Sequence, residues 1–160
     1  MAQSTFVWDG RHIPTIDAFK LYLASLGKAP FWFKGVAIHH TWKPTMDQWR
    51  GATTMAGLRR YYKDDVTWKD ASGATQKGWS AGPNIFNAPD GFWIGTPVNV
   101  QGVHSGAFNS SFIGIETVGD FDNTPMPPKT RNDLFQLIIA LFQWKGITQV
   151  SLDTVRGHRE

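Results

Sequence analysis

The sequence predicts a single α/β domain in which a mixed central β-sheet is flanked by α-helices. Three observations predict it. Val36-Ala37-Ile38, a short apolar run after Gly35, suits a strand buried on both faces, and Phe112-Ile113-Gly114-Ile115-Glu116-Thr117-Val118 is a second strongly apolar strand. Segments 16–26 and 130–144 carry apolar residues at helical spacing. Pro89-Asp90-Gly91 separates two further apolar runs, which predicts a hairpin with a turn of the Asp-Gly type. Strands mixed with helices and a hairpin indicate a mixed sheet.

Taken in order, Pro14-Thr15 opens a capped amphipathic helix over 16–26, stopped at Gly27. The strand that ends in His39-His40 follows. Thr45-Met46-Asp47-Gln48 has the spacing of a capping box and predicts a helix running to about Tyr62, with Trp49, Met55, Leu58 and Tyr62 on one face. Gly51 weakens that helix by ~1 kcal/mol relative to alanine. Residues 64–78 are polar with few apolar anchors and read as a surface loop. Residues 83–88 and 92–95 form the predicted hairpin, and 98–109 is Gly-rich and irregular. Pro127-Pro128 closes an exposed loop before the helix of 130–144, whose apolar stripe predicts burial on most of its circumference. No repeat, low-complexity segment or interdomain linker is visible. Residues 1–33 read as a lead-in and helix packed on the domain formed by 34–160.

Composition narrows the function classes. A chain of 160 residues with 41% hydrophobic residues, 8 Trp and 11 Phe can bury a proper core and is not disordered. It has no apolar run long enough for a membrane span, and its first residues have neither the basic start nor the apolar stretch of a secretory signal. The absence of cysteine excludes disulfides and thiolate metal sites in this segment. A formal net charge of +3 with no dense basic cluster argues against nucleic acid as a partner. A monomer is expected.

Chemistry concentrates at a few positions. Successive strand residues point to opposite faces, so His39 and His40 cannot do the same job. One can face a cleft as metal ligand or base while the other packs or caps. Glu116 lies inside an apolar strand, and a buried carboxylate needs a partner. Burial also raises its pKa, which suits a general base; a structural hydrogen bond or an ion pair with Arg156 is the other reading. His104, in the Gly-bounded loop Gly102-Val103-His104-Ser105-Gly106, can contact substrate or satisfy loop backbone. His12 beside Arg11 reads as solvated surface. A catalytic zinc takes three protein ligands and an open position, and His39, Glu116 and His158 are the residues that could converge on one.

Six stretches carry a resemblance: Val36-Ala37-Ile38-His39-His40-Thr41, Gly78-Trp79-Ser80, Ala88-Pro89-Asp90-Gly91, Gly102-Val103-His104-Ser105-Gly106, Asn109-Ser110-Ser111-Phe112-Ile113-Gly114-Ile115-Glu116 and Gly157-His158-Arg159. In this order they resemble the type 2 N-acetylmuramoyl-L-alanine amidases, the family that includes phage lysozyme-like amidases and peptidoglycan recognition proteins. The resemblance runs from about residue 34 to the last residue. It implies zinc held by His39 and His158, Glu116 at the catalytic-base position of some branches, and substrate contacts from His104, His40, Trp79 and Asn109. The implied reaction is hydrolysis of the amide between N-acetylmuramic acid and L-alanine in peptidoglycan, as in an endolysin. The implied fold is a mixed central sheet with the zinc at the floor of a groove.

Two departures accompany the match. The family's third zinc ligand follows the Gly-His-Arg motif, so it is expected beyond Glu160, and 34–160 reads as a catalytic domain cut short at its C-terminus. The Tyr or His that some relatives carry after Gly-Trp-Ser is absent from Gly82-Pro83-Asn84-Ile85-Phe86, which leaves Glu116 as the main acid/base group. A peptidoglycan-binding module without catalysis is the alternative that the missing ligand favours. The lack of a signal peptide fits a phage or prophage enzyme made in the cytoplasm and acting on the cell wall, or one acting on wall fragments in the cytoplasm.

Overall fold

As a computed structural model, the protein is described over residues 5–157. Six strands form one sheet: β1 (His12–Ile13), β2 (Gly35–His40), β5 (Ile85–Ala88), β6 (Gly91–Ile94), β7 (Phe112–Thr117) and β8 (Val155–Gly157). β3 (Thr67–Lys69) and β4 (Thr75–Lys77) pair separately as a small hairpin. The helices are α1 (Ile16–Ser25), α2 (Ala52–Arg60) and α3 (Pro128–Lys145). The sheet order is β1-β6-β5-β7-β2-β8. β5, β7, β2 and β8 run parallel, β6 runs antiparallel to β5, and the edge strand β1 pairs antiparallel to β6. This is the mixed sheet that the sequence predicts.

Strand alternation splits the sheet into two faces with different duties. Val36, Ile113, Ile115, Ile85 and Ile94 belong to a core layer shared with Phe19 and Leu23 of α1 and with Leu134, Leu137 and Leu141 of α3. Phe86 and Trp93 belong to a second layer with Trp49, Met55, Leu58 and Tyr62 from the α2 region. A strand covered on both faces has to be apolar at consecutive positions, which is why β2 and β7 read as unbroken apolar runs. Thr15 caps α1 by accepting a hydrogen bond from the Ala18 N–H at 3.2 Å. α3 stops at Gly146, whose φ of 80° is the left-handed conformation that glycine adopts most easily.

The structure corrects three sequence readings. The helix expected from Thr45 to about Tyr62 is broken. The capping box at Thr45–Gln48 closes only a single 3₁₀ turn, Trp49 is extended, and Gly51 takes a φ of 54° that no helix tolerates. α2 begins after that break and ends in a widened π turn over Tyr61–Asp65. The loop expected at 64–78 is instead the β3–β4 hairpin. Its turn is organised by Asp70, whose Oδ1 accepts from the N–H groups of Ser72 and Ala74. Both strands of that hairpin are exposed, so no apolar alternation marked them. α3 is buried on one side only: Phe135 and Ile139, one turn apart, are exposed because they lie off the side of α3 that packs on α1 and the sheet. Among the described residues no helix is long and apolar enough to cross a membrane.

Leu137 has no solvent exposure and sits at the centre of the α3–sheet layer. Leu137→Ala is expected to destabilise the fold by about 2–5 kcal/mol in urea denaturation, whereas Phe135→Ala on the exposed side of α3 stays within about 0.5 kcal/mol of the parent.

Candidate functional site

β2 and β7 lie side by side and in register, with His39 opposite Glu116, and β5 places Phe86 on the other side of Glu116. Parallel neighbours in register point to the same face. His39 and Glu116 are therefore adjacent on the face of the second core layer. Both are buried. His40, the next residue, is turned to the opposite face. Its Nδ1 accepts a hydrogen bond from the Phe121 N–H at 3.1 Å, and its Nε2 stands 3.7 Å from Asp122 Oδ2. The two histidines thus take separate roles, and His40 is the one residue of the expected substrate set that stands away from His39.

A second ring meets His39. His104 Nδ1 lies 3.1 Å from His39 Nε2, and His104 Nε2 lies 3.1 Å from the carbonyl oxygen of Phe112. The imidazole rests directly on β7 at Gly114, where an added Cβ would come within 2.4 Å of His104 Cγ. Glycine is required there because any side chain would occupy the ring's seat. Asn109 holds the backbone beneath the ring, its Oδ1 accepting from the N–H groups of His104 and Ser105, each at 2.9 Å. Asn84 ties the same loop region to the sheet. Its Oδ1 accepts from the Gly114 N–H at 3.1 Å while its amide N–H group donates to the Val100 carbonyl at 3.0 Å.

Glu116 carries the perturbed carboxyl of this face. Its Oε2 is buried with no hydrogen-bond partner, and burial pushes its pKa up to about 7. The ion pair with Arg156 considered from sequence is not formed: Arg156 approaches Asp153 at 3.5 Å and lies over the Phe108 ring. Tyr62, on the π turn, is a neighbour that sequence reasoning placed only on an apolar helix face. Burial and the negative charge of Glu116 push its pKa well up, and its ring stacks on Trp79 at 5.2 Å. Trp79, His104 and Asn109 all line a cleft of about 1000 Å³, whose outer wall includes Lys63, Trp68 and Lys77. The structure therefore brings together His39, Glu116, His104, Trp79 and Asn109.

The donor set suits a zinc site as far as it is described. His39 offers a ring whose second nitrogen is engaged by another group, the usual arrangement of a ligating histidine, and the orphaned Glu116 oxygen stands on the same face. Among the described residues no group of three His, Cys, Asp or Glu side chains is close enough to hold a metal. His158, the second ligand implied by the resemblance, lies outside the described residues.

Residues 28–160 match the family described as N-acetylmuramoyl-L-alanine amidase. The chain belongs to that family. It is 26% identical over 158 residues to peptidoglycan-recognition protein LB of Drosophila melanogaster, covering 96% of this chain. The chain spans 58% of the length of that relative. Among solved structures, a Drosophila PGRP-LB point mutant in complex with tracheal cytotoxin is similar with a TM-score of 0.62 at 18% identity, covering 98% of this chain and 78% of that one. Drosophila PGRP-SA is similar with a TM-score of 0.64 at 13% identity, over 99% and 75% of the two chains. The endolysin amidase LysCS from Clostridium intestinale is similar with a TM-score of 0.50 at 17% identity, over 99% and 83%. At these identities the structural likeness is one of fold.

Sequence reasoning missed the His39–His104 contact, the seat at Gly114 and the approach of Tyr62. One signal was present: a glycine inside an otherwise apolar strand marks a close approach. Gly114→Ala is expected to unseat His104 and to destabilise the fold by about 1–3 kcal/mol, read by urea denaturation together with a changed His104 ring signal in NMR spectra. The raised pKa of Glu116 has a sign that can be tested in metal-free protein. The native state holds the proton more tightly than the unfolded chain, so this stability is present below the unfolded pKa and is lost as pH rises to about 7. A decline of up to roughly 3 kcal/mol is expected across that window. Glu116→Gln should remove the slope, measured by denaturation in chelator at about pH 5 and about pH 8.

Proposed function

We propose that this chain is a zinc-dependent amidase that hydrolyses the bond between N-acetylmuramic acid and L-alanine in peptidoglycan or its fragments. One observation carries the reading: in a chain of an amidase family, His39 stands beside Glu116, whose Oε2 has no hydrogen-bond partner, and touches His104 of the cleft wall. His39 and His158 would hold the zinc, which when bound polarises a carbonyl and lowers the pKa of water towards ~7.

The chain's own groups supply the proton chemistry. A carboxyl with a pKa of about 7 is divided between its two protonation states near neutral pH, the range in which a group can both take and return a proton. Glu116 Oε2 accepts the proton of the attacking water and delivers it to the departing alanine nitrogen. The C–N bond breaks, one water is consumed, and the products are a lactyl carboxylate and a free amine. Trp79 and Asn109 face the cleft and position the muramyl peptide, with Trp79 held flat against Tyr62. The low exposure of the Glu116 carboxyl excludes bulk water, which would otherwise lower its pKa.

A second reading is a module that binds peptidoglycan without cutting it. It is favoured by relatives named as recognition proteins and by the absence of a three-ligand cluster among the described residues. In either reading the setting is the cell wall or fragments derived from it. Zinc-loaded chain incubated with cell wall should release new amino groups. Glu116→Gln should lower that rate by at least about 100-fold with zinc content unchanged. Retained zinc and no release by the parent chain would instead establish the binding module.

A further inference from the structure

We propose that Trp68 is the saccharide platform of the cleft: its uncovered indole face takes the C–H face of a pyranose ring, so that the β3–β4 hairpin favours a glycopeptide over a bare peptide. Only the identity of that ring as N-acetylmuramic acid rests on the amidase reading. Trp68 is 45% exposed and belongs to neither core layer, so core packing does not account for an indole at this position. It lines the cleft together with Trp79, His104 and Asn109. What already covers each exposed ring sets Trp68 apart. Trp42, also exposed, has Lys43 Nζ 5.0 Å from its ring centroid, and Trp79 has one face stacked on Tyr62. Among the described residues no ring stacks on Trp68 and no cation lies over it.

The platform is held stiffly. The Trp68 indole N–H donates to the Gly78 carbonyl at 3.0 Å, which fixes the edge of the ring and engages its single donor. In the hairpin Trp68 stands opposite Gln76, whose amide donates at 2.7 Å to the Asp70 carboxylate that also organises the turn. An aromatic side chain fixed in advance loses little freedom when a ligand arrives. With its N–H engaged, the ring offers a π face and an apolar edge, and nothing that satisfies the backbone donors and acceptors of a peptide. A pyranose is the complement: C–H groups on one face, hydroxyls around the rim. Lys63 and Asp64 line the same cleft with half-exposed side chains 4.0 Å apart, and supply polar groups for that rim.

The test is nitrogen-15 NMR of the indole groups in chelator, with two probes. One is N-acetylmuramoyl-L-alanyl-D-isoglutamine and the other is L-alanyl-D-isoglutamine, the same peptide without the sugar. The Trp68 signal, assigned by its loss in Trp68→Phe, should shift with the first probe and stay in place with the second. Trp68→Ala should weaken binding of the muramyl peptide about 2–10-fold, while Trp68→Tyr, which keeps a ring, should stay within about twofold of the parent. Equal shifts with both probes would overturn the proposal. So would a muramyl peptide that does not bind, or one that binds with the Trp68 signal and the Trp68→Ala affinity unchanged. If Trp68→Ala loses the hairpin, the parent spectra and Trp68→Tyr decide. A chain with the Trp68 response that releases no amino groups from cell wall sustains the platform and removes only the amidase reading. Release of amino groups with Trp68 silent removes the platform alone.

Discussion

The parallel pairing of β2 with β7 is the constraint on which the site depends. Its register places His39 opposite Glu116, Ala37 opposite Gly114 and Val36 opposite Ile113. A slip of one residue would send His39 to the face of α1 and α3 and leave Glu116 facing its former neighbours alone. The register is held by what lies on the two faces. One side is a continuous apolar layer with α1 and α3, the other a layer that includes Tyr62, Phe86 and Trp93. A one-residue slip is opposed because it would bury the His39 imidazole in the layer shared with α1 and α3.

Within that frame the site accepts an energetic penalty. A carboxyl with a buried, partnerless oxygen is destabilising when ionised, and the surrounding apolar layer is what excludes the water that would relieve it. The same exclusion raises the pKa of Glu116 and so makes it useful in proton transfer near neutral pH. His104 is satisfied at both ring nitrogens, and its seat depends on a residue with no side chain. The contrast is physical: the histidine pair is held in one arrangement, while Glu116 is left with capacity to bind something else.

The cleft wall is built by a segment with no stake in the main sheet. The β3–β4 hairpin attaches where the Trp68 indole N–H donates to the Gly78 carbonyl at 3.0 Å and the Gly78 N–H donates to Val66. Gly78 has a φ of 72°, and a Cβ there would fall 2.0 Å from the Lys63 carbonyl oxygen, so only glycine lets the hairpin fold back onto the π turn. That close return brings Trp79 under Tyr62 and completes the aromatic side of the cleft. The widened turn over Tyr61–Asp65 gives the chain the extra residue it needs to reach this position, and such turns are frequent at functional sites.

The sequence by itself determined the class of fold, the two central strands, the hairpin at Asp90-Gly91, the helix cap at Thr15 and the separate duties of His39 and His40. These follow from local periodicity, turn chemistry and strand alternation, all of which act over a few residues. Only the tertiary structure decided that the helix after Thr45 breaks at Gly51, that 67–77 pairs as a hairpin, and that His104 lies on Gly114 against His39. His104 and His39 are 65 positions apart, and their contact depends on which strand neighbours β2 and in what register. Sheet order and register are long-range choices made by the fit of the two core layers, and no local pattern in the chain encodes them.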